Sequence, residues 1–592
     1  MTVDQAIVFA IIGGTLPLII SNWWRFDLVA LMALLAAVLT GVVPQDQAFS
    51  GFSNPAVITV VAVLIISRAL AASGVVDLIA SRLSDVATSQ LGQLLALSVT
   101  GAVLSAFMNN VGALALLLPV ALANARKFNY PAAAVLMPLS FATLLGGLTT
   151  LIGTPPNLLI ADFRVDAGGE RFGMFDFAPV GVAIAAAGIA FIALIGWRLI
   201  PKDRQGRNDD ALFEISNYVS ELRVSEKSSA IGQSVIELEQ AIENHIRVLA
   251  IIRDHGRAVA GVRLERLRAG DILIVQAETS ALEQAIKNAG LELVADPVDL
   301  ADMAQGELAF VEAVVTPNAW IRGSTPASLH LRRRYEVNLI AVSREGRPSK
   351  GRLDAKRLNA GDVLLLQGEA DRLPEVITAL GCLPLASRRL TFEPRRILLP
   401  LVIFGTAILL TSLGVLSAAV AFASAALLLV LTRSLAPRAV YDSVEWPVIV
   451  LLGAMIPVGG ALESTGAAGL VASTLFELTG ELSPRLIIGT VLALTMLLTP
   501  LLNNAATVVI MAPIVIGIAG QLGASADPFL MAVAIGASCD FLTPIGHQNN
   551  TLIMGPGGYR FGDFWRLGIF MDLLVLAVGV ALIPVVWPFS AG

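Results

Sequence analysis

Two Asn-Asn pairs, Asn109-Asn110 and Asn503-Asn504, stand inside long apolar stretches of the sequence. An amide inside a bilayer is costly unless it is hydrogen-bonded, and a break in a helix exposes backbone groups that also need partners. Carbonyl oxygens replace the hydration shell of a small cation, whereas helix N-termini attract an anion. The pairs therefore predict an ion-binding site, and the alternative is that they only cap helices or hold them together.

Two further apolar helices are interrupted, at Gly153-Thr-Pro-Pro-Asn157 and at Gly546-His-Gln-Asn-Asn550. Prolines or a run of amides break the hydrogen-bond ladder of a helix. Because the interruptions occupy corresponding positions of two halves, they predict discontinuous helices whose breaks face the Asn pairs near the bilayer midplane. A simple Pro kink is the alternative for either one alone.

Asp540 and His547 lie in or beside the second interruption. Either group could titrate and couple proton movement to transport, or act as a structural acid and a substrate-facing imidazole. The sequence has no Walker motif and no convincing catalytic triad or carboxylate pair. With two cysteines far apart in sequence, it also predicts no disulfide or cysteine metal site. We therefore expect neither an enzyme nor an ATP-driven pump, and no cofactor.

The elements that position these residues must be membrane helices. The chain of 592 residues is 56% hydrophobic and 15% charged, and 27 of its 40 Lys and Arg residues fall between Leu199 and Arg396. The flanks are therefore predicted to be embedded in lipid and the middle to be soluble. A net charge of −6 gives no reason to expect nucleic-acid binding.

The two flanks are related, because Leu104–Pro119 aligns with Leu498–Pro513 at a constant shift that superimposes both Asn pairs. The stretches holding the pairs, 90–124 and 484–520, are too long for one crossing and predict re-entrant helical hairpins. Basic residues beside the spans place residue 1 outside and the middle segment in the cytoplasm. Five crossings and one hairpin per half make the second repeat inverted relative to the first.

The middle segment is itself duplicated with a shift of 91 residues. Ala250–Arg253 matches Ala341–Arg344, and Leu267–Gln276 matches Leu358–Gln367. Short β-rich runs ending at Gly-Asp turns predict two small α+β domains. The predicted domains are 1–200 (first membrane repeat), 207–295 and 305–390 (the two soluble domains) and 395–592 (second membrane repeat).

Motifs in both membrane halves carry a family resemblance: Phe107-Met-Asn-Asn110, Gly153–Asn157, Asn503-Asn504, Pro544–Asn550 and Gly555-Pro-Gly-Gly-Tyr-Arg-Phe-Gly-Asp-Phe564. On these, the chain resembles the divalent anion:sodium symporter (DASS) family, in particular its sulfate-permease-like branch with an inserted pair of TrkA-C (RCK-C) domains. The resemblance implies a polytopic α-helical homodimer of the bacterial inner membrane. In it a scaffold holds the dimer interface while a transport domain moves as an elevator.

The resemblance also implies residue roles. The family's Ser-Asn-Thr hairpin tips are here Asn109-Asn110-Val111 and Asn503-Asn504-Ala505, and they bind the substrate together with Thr154 and His547. The implied sodium ligands are Ser105, Asn110, Gly153, Thr499, Asn504 and Gly546. Because both tips lack the Thr hydroxyl, a carboxylate clamp is in doubt, and sulfate becomes the preferred substrate.

The resulting hypothesis is sodium-coupled symport of a divalent anion, with protons as an alternative coupling ion. Dicarboxylate symport and oxyanion export are the other transport hypotheses, and a ligand-gated channel or membrane sensor is a hypothesis of another class. The soluble domains are expected to regulate transport. They are expected to do so with a small ligand held by Arg253, Arg344 or Arg332–Arg334, or else to be a dimerisation module with a solvated basic face.

Overall fold

The protein consists of two helical halves separated by a central insert that is rich in strands. The computed structural model describes residues 1–21, 23–75, 89–201, 220–241, 246–253, 257–259, 265–277, 289–293, 308–345, 347–348, 356–369, 372–385, 394–479 and 483–590. Helices fill the described chain up to residue 194 and again from residue 394, which is the arrangement that the distribution of charge predicts.

In the first half, α4 and α5 form a hairpin, and α6 and α7 form one helix broken across residues 148–154. The helices are α1 (Val3–Ser21), α2 (Phe26–Leu39), α3 (Pro55–Ala72), α4 (Gln90–Ser105), α5 (Asn110–Lys127), α6 (Ala133–Gly147), α7 (Pro155–Asp166) and α8 (Ala178–Leu194). Short 3-10 turns lie at Gln45–Gln47, Ser50–Ser53 and Gly196–Leu199. The hairpin packs tightly on the broken helix, since a Cβ on Gly146 would lie 2.2 Å from the carbonyl oxygen of Ala102.

In the insert, two five-stranded antiparallel sheets form two lobes of the same topology. The strands of lobe 1 are β1 (Ser220–Val224), β2 (Ile246–Arg253), β3 (Arg257–Val259), β4 (Ile272–Ala277) and β5 (Leu291–Leu293). Those of lobe 2 are β6 (Leu308–Val315), β7 (Asn338–Arg344), β8 (Arg347–Pro348), β9 (Val363–Glu369) and β10 (Cys382–Pro384). The insert's described helices are α9 (Val235–Ala241), α10 (Pro326–Leu329), α11 (Leu331–Tyr335) and α12 (Leu373–Ala379).

The two sheets show the duplication in detail. The strand orders are β3-β2-β4-β1-β5 and β10-β6-β9-β7-β8, which are equivalent when one sheet is read in reverse. A register shift between Val248 and Ala250 in β2 recurs between Leu339 and Ala341 in β7. Both of these pairs obey the 91-residue shift seen in the sequence. The two lobes are therefore copies of one fold.

The second half repeats the hairpin and the broken helix. Its helices are α13 (Pro394–Ser412), α14 (Ala418–Leu431), α15 (Pro437–Ser443), α16 (Trp446–Ser464), α17 (Ala467–Thr479), α18 (Pro484–Leu502), α19 (Asn504–Leu522), α20 (Asp527–Gly536), α21 (Gln548–Gly557) and α22 (Phe564–Val586), with a 3-10 turn at Phe561–Asp563. Here α18 and α19 form the hairpin, and α20 and α21 form the broken helix. The sequence analysis missed α17, whose apolar positions are interspersed with Ser, Thr and Glu.

Five helical segments of the described chain are long and apolar enough to cross a membrane: Gln45–Ala72, Trp446–Ser464, Pro484–Leu502, Asn504–Leu522 and Phe561–Val586. Shorter apolar helices of 10–17 residues accompany them in both halves. The halves interlock, because α2 packs against α16 and α3 against α14. The helical part therefore has the composition of a multi-pass membrane protein. Re-entrant insertion of the hairpins stays a prediction.

Lobe 2 is packed onto the helical part. Its buried Val314, Ile340 and Leu365 belong to the same apolar core as the membrane helices, whereas the core of lobe 1 is separate. Arg126, in the last turn of α5, forms an ion pair of 3.0 Å with Glu312 of β6. A Cβ on Gly555 of α21 would lie 2.2 Å from the carbonyl oxygen of Gly361. Lobe 2 thus contacts both the first hairpin and the second broken helix.

Candidate ion-binding site

A cavity of about 120 Å³ lies where the two hairpin tips and the two helix breaks meet. Its wall consists of Val60, Val63, Leu64, Asn109, Asn110, Val111, Ile152, Gly153, Thr154, Pro155, Pro156, Leu158, Glu445, Val448, Asn503, Asn504, Ala505, Gly546, His547 and Gln548. All eight residues predicted to bind the substrate are in this wall. The structure thus brings together residues that are up to about four hundred positions apart in the sequence. The volume of the cavity suits a small solute.

The tip of the first hairpin is held by its own amides. The Oδ1 atom of Asn109 accepts the backbone N–H of Val111 at 3.2 Å and so caps α5. The Asn110 side chain is buried, and its Oδ1 accepts the hydroxyl of Ser105 at 2.6 Å. Ser105 therefore lies behind Asn110 and outside the cavity wall. The Asn pair positions the start of α5 and also presents polar atoms to the cavity.

The tip of the second hairpin is built in the same way. The Oδ1 atom of Asn503 accepts the backbone N–H of Ala505 at 3.0 Å and caps α19. Asn503 has φ +88° and ψ 144°, a conformation that residues other than Gly rarely adopt and that is found where a site needs it. Thr499 donates to the carbonyl oxygen of Ala537 at 2.8 Å, so it fastens the hairpin to the second break and does not line the cavity.

The two breaks are held by a matching pair of buried amides. Asn157 donates to the carbonyl oxygens of Thr150 and Gly147, at 2.8 and 3.3 Å. Asn550 donates to the carbonyl oxygens of Thr543 and Asp540, at 3.2 and 2.7 Å. Each residue of the second set lies 393 positions after its counterpart in the first. One amide thus satisfies the carbonyls that each broken helix leaves free.

Asn549 joins the two halves at the site. Its Nδ2 donates to the backbone oxygen of Asn110 at 3.1 Å and to the hydroxyl of Thr143 at 2.8 Å. The Asn549 side chain is fully buried. The first hairpin tip and the second break are therefore connected directly. The sequence analysis assigned Asn549 no role, although its place in a run of amides inside an apolar helix was a usable signal.

Four helix N-termini meet at the cavity, whose wall contains one acid, Glu445. The helices α5, α7, α19 and α21 begin at Asn110, Pro155, Asn504 and Gln548, and all four of these residues line it. Each helix N-terminus carries about half a positive charge. One N–H in the first turn of α5, α19 and α21 is already bound by a capping side chain, and α7 begins with two prolines, which have no N–H. No Lys or Arg is among the lining residues. An anion held here would be bound by helix dipoles and amides.

His547 has a defined role at the second break. Its Nδ1 accepts the backbone N–H of Asn549 at 3.1 Å and caps α21. A ring nitrogen that accepts has no hydrogen, so a neutral imidazole carries its hydrogen on Nε2. His547 is thereby fixed as a hydrogen-bond donor in the cavity wall.

Glu445 is a lining residue that the sequence analysis did not identify. Its Oε1 accepts the amide of Asn109 at 3.1 Å, and its Oε2 accepts the amide of Asn318, from lobe 2, at 3.3 Å. Its position directly before the apolar helix α16 gave only a weak signal, because acids are common at helix starts. The carboxylate links the cavity wall to the soluble insert.

The basic residues proposed for a ligand of the insert are partly engaged within their own lobes. Arg253 pairs with Asp271 at 3.0 Å, and Arg344 pairs with Asp362 at 2.7 Å, again 91 positions on. The hydrogen bonds that both guanidinium groups donate to these carboxylates raise the pKa of the guanidinium groups. Arg333 and Arg334 are exposed, and the side chain of Arg332 lies outside the described residues. Arg253 and Arg344 thus brace the Gly-Asp turns.

Comparison with known proteins gives a consistent set of relatives. The model of a family described as citrate transporter (CitMHS) matches residues 16–536 and 471–591 of this chain. Uncharacterized transporter sll0640 of Synechocystis is 31% identical and covers 98% of this chain and 97% of its own length. Uncharacterized transporter YfbS of Escherichia coli is 29% identical, and the match covers 98% of this chain and 99% of that protein. Sodium/sulfate cotransporter 1 of Chlamydomonas reinhardtii is 29% identical over 57% of this chain and 40% of its own.

Proposed function

The chain belongs to the citrate transporter (CitMHS) family, a family of transporters and not of enzymes, and on that premise we propose that it symports a divalent anion with sodium. The observation that carries the proposal is the convergence of four helix N-termini on one small cavity without a basic side chain. Such a site binds an anion through dipoles and leaves the neighbouring carbonyl oxygens available to cations.

Sulfate is the substrate that we favour over dicarboxylates and citrate. The hairpin tips end in Val111 and Ala505, so neither presents a hydroxyl with which to clamp a carboxylate. A tetrahedral oxyanion needs only N–H donors distributed around it, and the helix starts and the amides supply these. Relatives in Chlamydomonas reinhardtii named as sodium/sulfate cotransporters support this choice over part of the chain.

Sodium is the proposed coupling ion, with one site beside each hairpin tip. The proposed ligands are Ser105, Asn110 and Gly153 in the first half, and Thr499, Asn504 and Gly546 in the second. Asn110, Gly153, Asn504 and Gly546 line the cavity, and Ser105 and Thr499 lie directly behind it. Broken helices with free carbonyls are the usual hosts of sodium in secondary transporters.

Uptake into proteoliposomes tests the function. The purified protein should accumulate radiolabelled sulfate under an inward sodium gradient, and replacement of sodium by choline should abolish the accumulation. Unlabelled sulfate should compete better than succinate or citrate. If neither sulfate nor any carboxylate accumulates under sodium or proton gradients, the uptake proposal is wrong. Net extrusion of arsenite or another oxyanion would instead support export, and single-channel conductance would support a channel.

For the mechanism we propose an elevator in a homodimer of the bacterial cell membrane, with two inverted repeats. The hairpins and the broken helices would move together relative to α1–α3 and α13–α16. Contacts support this division, because Asn549 holds the first tip to the second break, Asn550 accepts the hydroxyl of Ser140 in the first broken helix, and Thr499 holds the second hairpin to the second break. Across the boundary, Asn109 meets Glu445 at the start of α16. This contact must be released if the hairpin moves against α16.

We further propose that the two lobes, as cytoplasmic TrkA-C-like domains, regulate transport. Lobe 2 contacts the moving elements at two places, Glu312 to Arg126 and Gly361 to Gly555, and it contacts the static side where Asn318 donates to Glu445 at the start of α16. A regulator acts only by binding one transport state better than another. Replacing residues 207–390 by a flexible linker should preserve sulfate binding and change the transport rate. Loss of binding in a folded excised protein would contradict this division of labour.

A further inference from the structure

A fully buried carboxylate lies directly behind the second helix break. Asp540 is 0% exposed, and its carboxylate oxygens make no hydrogen bond of ordinary length and angle within the described part of the chain, although the amide of Asn504 interacts with them. It is outside the cavity wall, but a Cβ on the lining residue Gly546 would lie 3.2 Å from its Oδ1. Burial of an unpaired carboxylate is very costly, so this group must bind either a proton or another cation.

Within the described ranges, no basic side chain forms an ion pair with Asp540. A second acid, Asp572 of α22, interacts electrostatically with Asp540, and its Oδ1 is also buried without a hydrogen-bond partner among the described residues. The amide of Asn504 at the second hairpin tip stands beside Asp540. The surroundings are therefore negative on balance and favour a cation.

Two helix C-termini add to this preference. α18 ends at Leu502 and α20 ends at Gly536, four residues before Asp540, and Thr499 of α18 binds the carbonyl oxygen of Ala537. Helix C-termini carry partial negative charge and free carbonyl oxygens, which coordinate small hard cations. The loop between α20 and α21 therefore ends at a helix N-terminus, at Gln548, that favours an anion. The opposite end of this loop, with its carbonyl oxygens, favours a cation.

The first half lacks this carboxylate. The counterpart of Asp540 at the 393-residue shift is Gly147, where a Cβ would lie 2.6 Å from Oδ1 of Asn110. A side chain does not fit there, because the Asn110 amide occupies the space. The two breaks, which are matched in their Asn157 and Asn550 hydrogen bonds, thus differ by one formal charge at this position.

From this geometry we infer that Asp540 is a sodium ligand, so that the second half holds a carboxylate-bearing cation site and the first half a neutral one. The inference rests on the proposed sodium coupling and specifies its chemistry. The carboxylate makes the second site the tighter of the two, because a full negative charge is added to neutral oxygen ligands in a region of low dielectric.

Sodium binding to the purified full-length protein, without sulfate or any carboxylate, tests the inference. The probe is sodium chloride exchanged against choline chloride or potassium chloride at constant ionic strength, with the thermal midpoint as readout. We expect sodium alone to stabilise the wild type, and Asp540→Asn to raise the half-saturating sodium concentration by at least about ten-fold. Asp572→Asn removes the neighbouring charge but no proposed ligand. It should change the logarithm of the half-saturating sodium concentration by less than half as much as Asp540→Asn does.

Unchanged sodium affinity in Asp540→Asn, or an equal loss in Asp572→Asn, overturns the inference. Stabilisation of the wild type by acid in place of sodium also overturns it. If Asp540→Asn does not fold, Asp540→Glu keeps the charge but displaces it, and should lower the affinity and alter the preference between sodium and lithium. Since no transported anion is present, the result is separate from the uptake assay. Sodium-driven sulfate uptake with unchanged sodium affinity in Asp540→Asn would defeat this inference alone.

Discussion

The amide of Asn109 donates to Oε1 of Glu445 across 3.1 Å, which joins the tip of the first hairpin to the start of helix α16. The same carboxylate is in the cavity wall, where the helix N-termini favour an anion. A negative side chain there opposes the binding of a divalent anion.

We therefore predict that Glu445→Gln binds the anion more tightly. Gln keeps a carbonyl acceptor for Asn109 but removes the charge, so the KM for sulfate uptake should fall about three- to ten-fold, a change of roughly 1 kcal/mol typical of a partly screened charge pair. Asp442→Asn, an exposed acid just before α16, is the matched control and should leave the KM unchanged. A KM that stays the same or rises in Glu445→Gln would contradict the electrostatic argument.

Release of the lobe contact should accelerate transport. Asn318→Ala removes the hydrogen bond to Oε2 of Glu445, and Glu312→Gln removes the ion pair with Arg126. Each such contact is worth about 0.5–1 kcal/mol, so the double variant loses about 1–2 kcal/mol of restraint and should raise the maximal uptake rate about five- to thirty-fold with an unchanged KM. Arg372→Gln, which breaks an exposed pair within lobe 2, is the control. A slower or unaltered rate would show that the contacts do not restrain the hairpin.

Much of this arrangement was predictable from the sequence, because polar residues inside apolar stretches are conspicuous. The Asn pairs and the Gly and Pro interruptions indicated both hairpins and both breaks, and the 91-residue shift indicated the paired lobes. Glu445 could not be found in this way. Its role depends on Asn318, which lies 127 residues away in another domain. The docking of lobe 2 on α21 likewise depends on surface shape, which sequence periodicity does not report.

The Gly-rich motif after the second break should prove to be a docking surface. In Gly555→Ala, the new methyl group would lie 2.2 Å from the carbonyl oxygen of Gly361, so lobe 2 must separate from α21. We expect a disulfide engineered between Cys residues at positions 312 and 126 to form more slowly in this variant. Gly562→Ala, in the same motif, meets no atom within 4 Å and should cross-link as the parent does. Equal rates in all three proteins would exclude steric docking at Gly555.

The ion pair beneath each Gly-Asp turn should stabilise its lobe. Asp362 is 1% exposed, pairs with Arg344 and also accepts the backbone N–H of Asn359 at 2.8 Å. Asp362→Ala removes the acceptor of the Asn359 N–H and leaves Arg344 only the carbonyl oxygen of Arg357, so it should lower the local free energy of unfolding by about 2–3 kcal/mol. Hydrogen exchange of the β9 amides measures this local free energy of unfolding. The exposed control Glu369→Gln should change the same free energy by no more than about 0.5 kcal/mol. If the hydrogen-exchange protection of β9 is unchanged in Asp362→Ala, the ion pair does not stabilise lobe 2.

A charge placed at the second hairpin tip should selectively weaken anion binding. Asp caps helices and tolerates positive φ about as well as Asn, so Asn503→Asp should keep the cap on Ala505 and the fold of the tip. The added charge faces the cavity, and the KM for sulfate should rise at least about ten-fold, or 1.4 kcal/mol, because the interaction is only partly screened there.

The control for this change is Asn129→Asp, which makes the same substitution at an exposed residue that also has positive φ, of 54°. It should leave the KM and the thermal midpoint as they are in the parent. If Asn503→Asp folds normally and retains the parental KM, the second tip does not contact the anion, and the site must be assigned to the first tip and the breaks alone.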